Sequence, residues 1–383
     1  MRCLLLIVVT GIVAGCATDI EPRAWCESPA LLVDRNFAGG NFYRCTAAED
    51  MVYVEVRPED PPPINRSPWY AFRVSPRAAT SATIEIEFVD GYARYWPKLS
   101  NDGRTWRRAP EHAVSIAADG SAMSLELAVD EAPLYVSAQE LLLSDWYESW
   151  LRELAVRDGI DVATVSRSVL GRPIQAARTA ARDEVVLLFG RQHPPEVSGA
   201  LAMRSFVDTV LGDSWLARQF RGRFRVVIVP LVNPDGVERG HWRHNVNGVD
   251  LNRDWGPFTQ PETQGLRDLV AKLEADGARF RLMLDFHSTR ESLFYTQMPD
   301  EFDEPLDFAT EWLDTARQHL GDFPFKHDPR PPSEQANTKN YFFARYGIPA
   351  ITYEIGDEVD RVDIEKSTPV FAEEMMRVLL ARD

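Results

Sequence analysis

Val185-Val-Leu-Leu-Phe189 runs directly into Gly190-Arg-Gln-His193-Pro-Pro-Glu196, and the stretch from Val197 to Leu211 then carries Ala200, Met203, Phe206, Val207 and Val210 at helical spacing. A short, continuously apolar run reads as a strand covered on both faces, and the 3.6-residue period after it reads as a helix packed on that strand. Three further runs repeat the strand signal: Val226-Val-Ile-Val229, Leu282-Met-Leu-Asp-Phe286 and Ala350-Ile-Thr-Tyr353. Apolar strands alternating with helices predict an α/β fold with a mixed, mostly parallel sheet flanked by helices. Polar residues close three of these runs: His193 and Glu196 after the first, His287 and Ser288 after the third, Glu354 after the fourth. Open α/β sheets gather ligands at the carboxyl ends of their strands, so residues far apart in sequence can converge there.

Two histidines and one carboxylate, with a fourth position open, are a common set for a catalytic zinc ion. His193 and Glu196 stand three apart with a rigid proline turn between them, and His287 completes the set. Zinc there would polarise a carbonyl and lower the pKa of bound water, and Glu354 is the candidate general base. Each part has a plain alternative when taken alone. An isolated H-x-x-E is most often structural, His287 suits a satisfied core histidine, Glu354 suits an ion pair, and Asp285 suits a buried polar group. Their joint placement at strand ends is what favours a site.

Between the first and third runs lie Asn233-Pro-Asp-Gly236, His241-Trp-Arg243 and Gly248-Val-Asp-Leu-Asn252-Arg253-Asp-Trp255. With these the sequence resembles the funnelin family of zinc carboxypeptidases. That family shows H-x-x-E, N-P-D-G, an Arg shortly after, an N-R pair, a later His-Ser and a Glu at a strand end, and all occur here in that order across residues 140–380. The resemblance implies one zinc per chain on His193, Glu196 and His287. It implies that Arg243 stabilises the oxyanion, and that Asn252 and Arg253 hold the terminal carboxylate of a peptide substrate, a task suited to a bidentate guanidinium. Glu354 would be base and then acid. Lys339, in Thr338-Lys339-Asn340-Tyr341, falls where the family places the base of its specificity pocket, which implies a preference for C-terminal Glu or Asp. The plain alternative for Lys339 is a solvated surface lysine. The mobile Tyr of the digestive enzymes has no counterpart, because Pro331-Pro-Ser-Glu-Gln335 occupies that stretch; Tyr295 is the stand-in.

From Met51 to Val136 the text changes to short alternating runs such as Ala82-Thr-Ile-Glu-Ile-Glu-Phe88, punctuated by Asp90-Gly91, Asn101-Asp-Gly103 and Asp119-Gly120. This spacing predicts a small antiparallel β-sandwich over 50–137, preceding a catalytic domain over 138–383. Ser67-Pro-Trp-Tyr-Ala-Phe-Arg-Val74, Tyr95-Trp-Pro, Trp106-Arg-Arg and Ser144-Asp-Trp are similar to the sandwich of the cytosolic carboxypeptidase branch, which trims glutamates. Residues 16–49 show little periodicity and read as a tether. Residues 1–15 read as a secretory signal, and Val13-Ala14-Gly15-Cys16 resembles a bacterial lipobox in which Cys16 is acylated. The alternative is a plain secretory signal. A lipobox implies a lipid-anchored protein of the bacterial cell envelope on its periplasmic or extracellular face, at the outer membrane in a Gram-negative host. Cys26 and Cys45 remain, and an oxidising compartment permits a disulfide between them; two separate thiols are the alternative.

At 383 residues the chain is long for one core, and 45% hydrophobic with 26% charged residues describes a globular protein. A net charge of −16 argues against nucleic acid as a partner and is silent on protein partners. The expected activity is release of C-terminal amino acids from peptides. A zinc amidase acting on cell-wall peptides or N-acyl amino acids is the first alternative. A catalytically dead binding module is the second, and the complete set of ligands and base speaks against it.

Overall fold

The computed structural model describes residues 23–79, 81–129, 132–157, 159–298 and 308–382. The signal segment 1–15 and Cys16 lie outside the described residues. Alternation decides the N-terminal half: along Ser81–Phe88 the residues Ala82, Ile84, Ile86 and Phe88 are buried, while the ones between face outward. Two sheets bury such faces in one core. The first runs in the order Trp25–Glu27, Leu31–Asp34, Ala71–Pro76, Leu134–Ser137, Lys98–Ser100, Arg107–Arg108, all antiparallel. The second runs Arg44–Ala48, Met51–Val56, Ser81–Phe88, Ala122–Ala128, Val114–Ile116. It is antiparallel except where Met51–Val56 pairs with Ser81–Phe88 in parallel, a departure from the expected pattern.

The tether expected over 16–49 is corrected. Trp25–Glu27, Leu31–Asp34 and Arg44–Ala48 are strands of these sheets, and a Cys26–Cys45 disulfide, with Cα atoms 5.7 Å apart, joins one sheet to the other. Strands of three to five residues are too short to show a period, and two of them pair with residues beyond position 50. That pairing is invisible locally.

The C-terminal half is an eight-stranded sheet. At its centre Phe224–Val229, Glu184–Gly190, Arg279–Thr289 and Ala350–Gly356 run parallel. An antiparallel hairpin, Asp161–Arg167 with Pro173–Arg178, extends one side, and Leu293–Thr296 pairs antiparallel with Ala350–Gly356 on the other. Strand Glu184–Gly190 sends Val186 and Leu188 into one core and Val185, Leu187 and Phe189 into the opposite one, which is why the run is continuously apolar. Helices Val197–Val210 and Arg361–Ala381 cover the first face, and Pro261–Ala275 and Thr338–Tyr346 cover the second. The first core continues without a break into the N-terminal sheets. No helix among the described residues is long and apolar enough to cross a membrane.

Candidate active site

The turn after strand Glu184–Gly190 carries His193 and Glu196, and a buried arginine holds it. Arg191 takes a left-handed backbone (φ 55°), and its guanidinium donates to the carbonyl of Pro194 (2.9 Å) and to the Tyr147 hydroxyl (2.9 Å). His287 and Glu354 are register partners on adjacent parallel strands, so their side chains share a sheet face. Each strand runs two residues beyond the polar residue expected to end it, because this pairing continues to Thr289 and Gly356. Gly199 lets the helix Val197–Val210 approach: a Cβ there would lie 2.4 Å from the carbonyl oxygen of His287. Asn233 explains the N-P-D-G motif. Its side chain caps helix Pro234–Arg239 by accepting from Gly236 N (2.9 Å) and donates to the carbonyls of Gln192 and His244, tying the His193 turn to the segment bearing Arg243.

Three side chains converge. His193 Nδ1 lies 2.8 Å from Glu196 Oε1, His287 Nδ1 lies 2.7 Å from Glu196 Oε2, and the two Nδ1 atoms are 3.2 Å apart. All three residues are buried, at 3%, 6% and 1% exposure. Both outer nitrogens meet carboxylates: His193 Nε2 at 3.1 Å from Asp250 Oδ1, and His287 Nε2 at 2.8 Å from Asp285 Oδ2. These carboxylates place the imidazole protons on Nε2 and leave both Nδ1 lone pairs facing the same point as Glu196, the arrangement of a histidine-ligated metal. The field agrees. Burial works against the Glu196 carboxylate, but His193 and His287 outweigh it and hold its pKa well below the usual range. Burial also opposes a charge on His287, yet Asp285 and Glu196 raise its pKa well above the ordinary value. The carboxylates of Glu196, Asp250 and Asp285 around the two imidazoles favour a cation at their centre. Two nitrogen donors and a carboxylate, all buried and backed by Asp250 and Asp285, fit zinc.

A cavity of about 550 Å³ opens over these ligands. Glu354, Arg243, Asn252, Arg253, Tyr295 and Lys339 all line it, so every residue singled out in the sequence for catalysis or substrate binding is there. Glu354 is half-buried, and its Oε2 is buried without a hydrogen-bond partner among the described residues. Burial, and then the Glu196 carboxylate, push its pKa upward. Arg243 is buried and donates through Nε to Asp250 Oδ2 (2.6 Å), so one carboxylate positions both His193 and Arg243. Asn252 Oδ1 accepts from the backbone and hydroxyl of Thr338 (3.0 Å each), while Arg253 is exposed. Lys339 is 6% exposed and donates to the Thr296 carbonyl (3.3 Å), which removes the alternative of a solvated lysine. Tyr295 stands on the paired strand Leu293–Thr296 and forms part of the wall, with Arg330 over its ring.

Four contributors are absent from the sequence reading of the site or given no role in it. Asp285 and Asp250 orient the histidines; Asp285 stands two residues before His287 on one strand, the period-2 signal that places both on one face. Asn65 and Arg94 reach the cavity from loops of the N-terminal half, and no local pattern marks them. The side chain of Arg94 is 5% exposed and pairs with Asp357 (2.8 Å), just past the strand bearing Glu354.

A parallel-centred sheet thus carries two imidazoles and a carboxylate at its strand ends, and Glu354 Oε2, without a hydrogen-bond partner among the described residues, stands beside them. The family profile described as zinc carboxypeptidase matches residues 147–317. The chain is similar to cytosolic carboxypeptidase 6 of Homo sapiens, 23% identical over 315 residues, which are 70% of this chain and 60% of that protein. It is 30% identical to cytosolic carboxypeptidase 6 of Mus musculus over 118 residues, which cover 29% of this chain and 22% of that one. The chain therefore spans less than two thirds of these relatives. In fold it matches a metallo-carboxypeptidase from Burkholderia cenocepacia, with a TM-score of 0.74 and 21% identity over 92% of this chain and 98% of the other. A metallo-carboxypeptidase from Pseudomonas aeruginosa also matches, with a TM-score of 0.74 and 20% identity over 91% and 98%.

Proposed function

We propose that the protein is a zinc metallocarboxypeptidase that removes C-terminal residues from peptides and prefers Glu or Asp at that position. One observation carries the reading: the buried His193, Glu196 and His287 cluster shares a cavity with an unbonded Glu354 oxygen and with Arg243 and Arg253. Zinc held by His193, Glu196 and His287 would supply Lewis acidity toward the scissile carbonyl. Arg253 and Asn252 hold the terminal carboxylate, which selects a chain end over an internal bond. Arg243, fixed by Asp250, turns its remaining N–H groups toward the oxygen on which charge develops. Glu354 accepts a proton from the attacking water and returns it to the leaving amine.

The acidic preference rests on Lys339, whose ammonium lies in the cavity wall, largely out of water, where pairing with a carboxylate is stronger than in bulk solvent. On peptides differing only in the last residue, release of Glu should stop on adding a chelator. In Lys339→Ala, kcat/KM for the Glu-ended peptide should fall by about 30-fold or more, as expected when one partner of a desolvated charge pair is removed, while the Leu-ended peptide stays within about twofold. Equal losses on both peptides, or none, would sink the preference.

We further infer a lipid-anchored location in a bacterial envelope. Val13-Ala14-Gly15-Cys16 supports it, and the Cys26–Cys45 disulfide suits an oxidising compartment. Cys16→Ser should move the protein from the detergent phase to the soluble fraction. Membrane retention without Cys16 would contradict the anchor.

A further inference from the structure

The segment after helix Pro234–Arg239 meets loops of the N-terminal half at three successive residues. Trp242 is fully buried, and its ring lies over Gly91, where a Cβ would come within 2.8 Å of Cη2. His244 Nδ1 lies 2.6 Å from Asp60 Oδ2. Glu59 makes the central contact: its Oε2 accepts from Trp242 N (2.7 Å), and its Oε1 accepts from Arg243 N (2.9 Å) and His244 N (2.8 Å). Three consecutive backbone N–H groups converging on one carboxylate form an anion nest, here filled by the chain's own side chain. A nest of this kind fixes the peptide planes on both sides of Arg243. The side chains at 242 and 244 turn to loops of the N-terminal half, while that of Arg243 lines the cavity.

We propose that Glu59 is a positioning residue for catalysis: the N-terminal sheets, through this carboxylate, set where the Arg243 guanidinium stands. The proposal rests on the reading of Arg243 as the oxyanion donor. Asp250 fixes Nε of Arg243, and Glu59 fixes its backbone, so the side chain is held at both ends. With Glu59 removed, the three N–H groups turn to water and the backbone at 243 is free to shift. Displacement of a catalytic group by about 1 Å can cost on the order of 100-fold in rate.

The test is a double-mutant cycle on the full, zinc-loaded protein, following kcat, KM and metal content. Arg243→Ala should lower kcat by about 10²–10³-fold. Glu59→Ala should lower kcat by about 10–100-fold, with KM and zinc content unchanged, and Glu59→Gln, which keeps one acceptor oxygen, should fall between it and the parent. In the Arg243→Ala background, Glu59→Ala should cost almost nothing more. Full additivity, or parental kcat in Glu59→Ala, overturns the positioning role while leaving Arg243 in place. Parental kcat in Arg243→Ala instead removes the oxyanion reading, and the positioning role with it. Should Glu59→Ala fail to fold, Glu59→Gln runs the same cycle and the same outcomes decide.

Discussion

Glu354→Gln is expected to keep its fold and its zinc and to lose about 10³-fold or more in kcat, the upper range for removal of one positioned proton carrier. The substitution changes almost no shape. The side chain keeps its place on strand Ala350–Gly356, opposite His287, so the ligands have no reason to move. What disappears is the ability to take a proton. In the parent, burial and the neighbouring Glu196 raise the affinity of Glu354 for a proton, which brings a carboxylate toward the range where it serves as a base near neutral pH. Its Oε2 is buried and bonded to nothing among the described residues, so no structural bond competes for it. Single-turnover rates and zinc analysis of the same preparation check this. Near-normal turnover would show that another group activates the water.

His287→Ala is expected to lose most of its zinc and, with it, activity. The change removes one of two imidazole donors and leaves Asp285 buried, its Oδ2 still accepting from Gln192 (2.6 Å) but no longer facing an imidazole. His193 and Glu196 alone provide two ligands where a catalytic zinc ordinarily takes three from the protein. Metal content should drop from close to one zinc per chain to a small fraction of that, and added zinc should restore little turnover at concentrations that saturate the parent. Full occupancy in this variant would remove His287 from the metal site. Together the two variants separate the functions: one keeps metal without proton transfer, the other loses the metal itself.

How much of this was legible in the residues depends on the range of the interactions involved. His193, Glu196, His287 and Glu354 could be read because each follows a short, mostly apolar run, and a strand buried on both faces writes itself as such a run. Lys339 was legible in position but not in environment. Its burial comes from packing against strand Leu293–Thr296, forty-odd positions away, and only the fold discloses that. The strands between Trp25 and Ala48 escaped because they are short and find their partners late. Arg94 and Glu59 escaped for a different reason. An arginine or glutamate near a turn looks like any solvated charge, and what distinguishes these two lies some 180 or more residues further on, in Asp357 and in the backbone of 242–244.

The cavity has walls from both halves: Asn65 and Arg94 on one side, and His193, Glu196, His287, Glu354 and Lys339 on the other. Glu59, Trp242 and the pairs Arg94–Asp357 and Lys98–Glu358 fasten the two together, and one apolar core runs through the join. Binding energy gained in such a cavity cannot stay local. A ligand at a hundred times its Kd stabilises the folded state by about 2.7 kcal/mol, and here the folded state that binds includes the N-terminal sheets. Zinc on His193, Glu196 and His287 would be held entirely by the C-terminal half, yet it would guard the N-terminal half against unfolding as well. The two halves are thus expected to unfold together, in one transition whose midpoint rises when the cavity is filled.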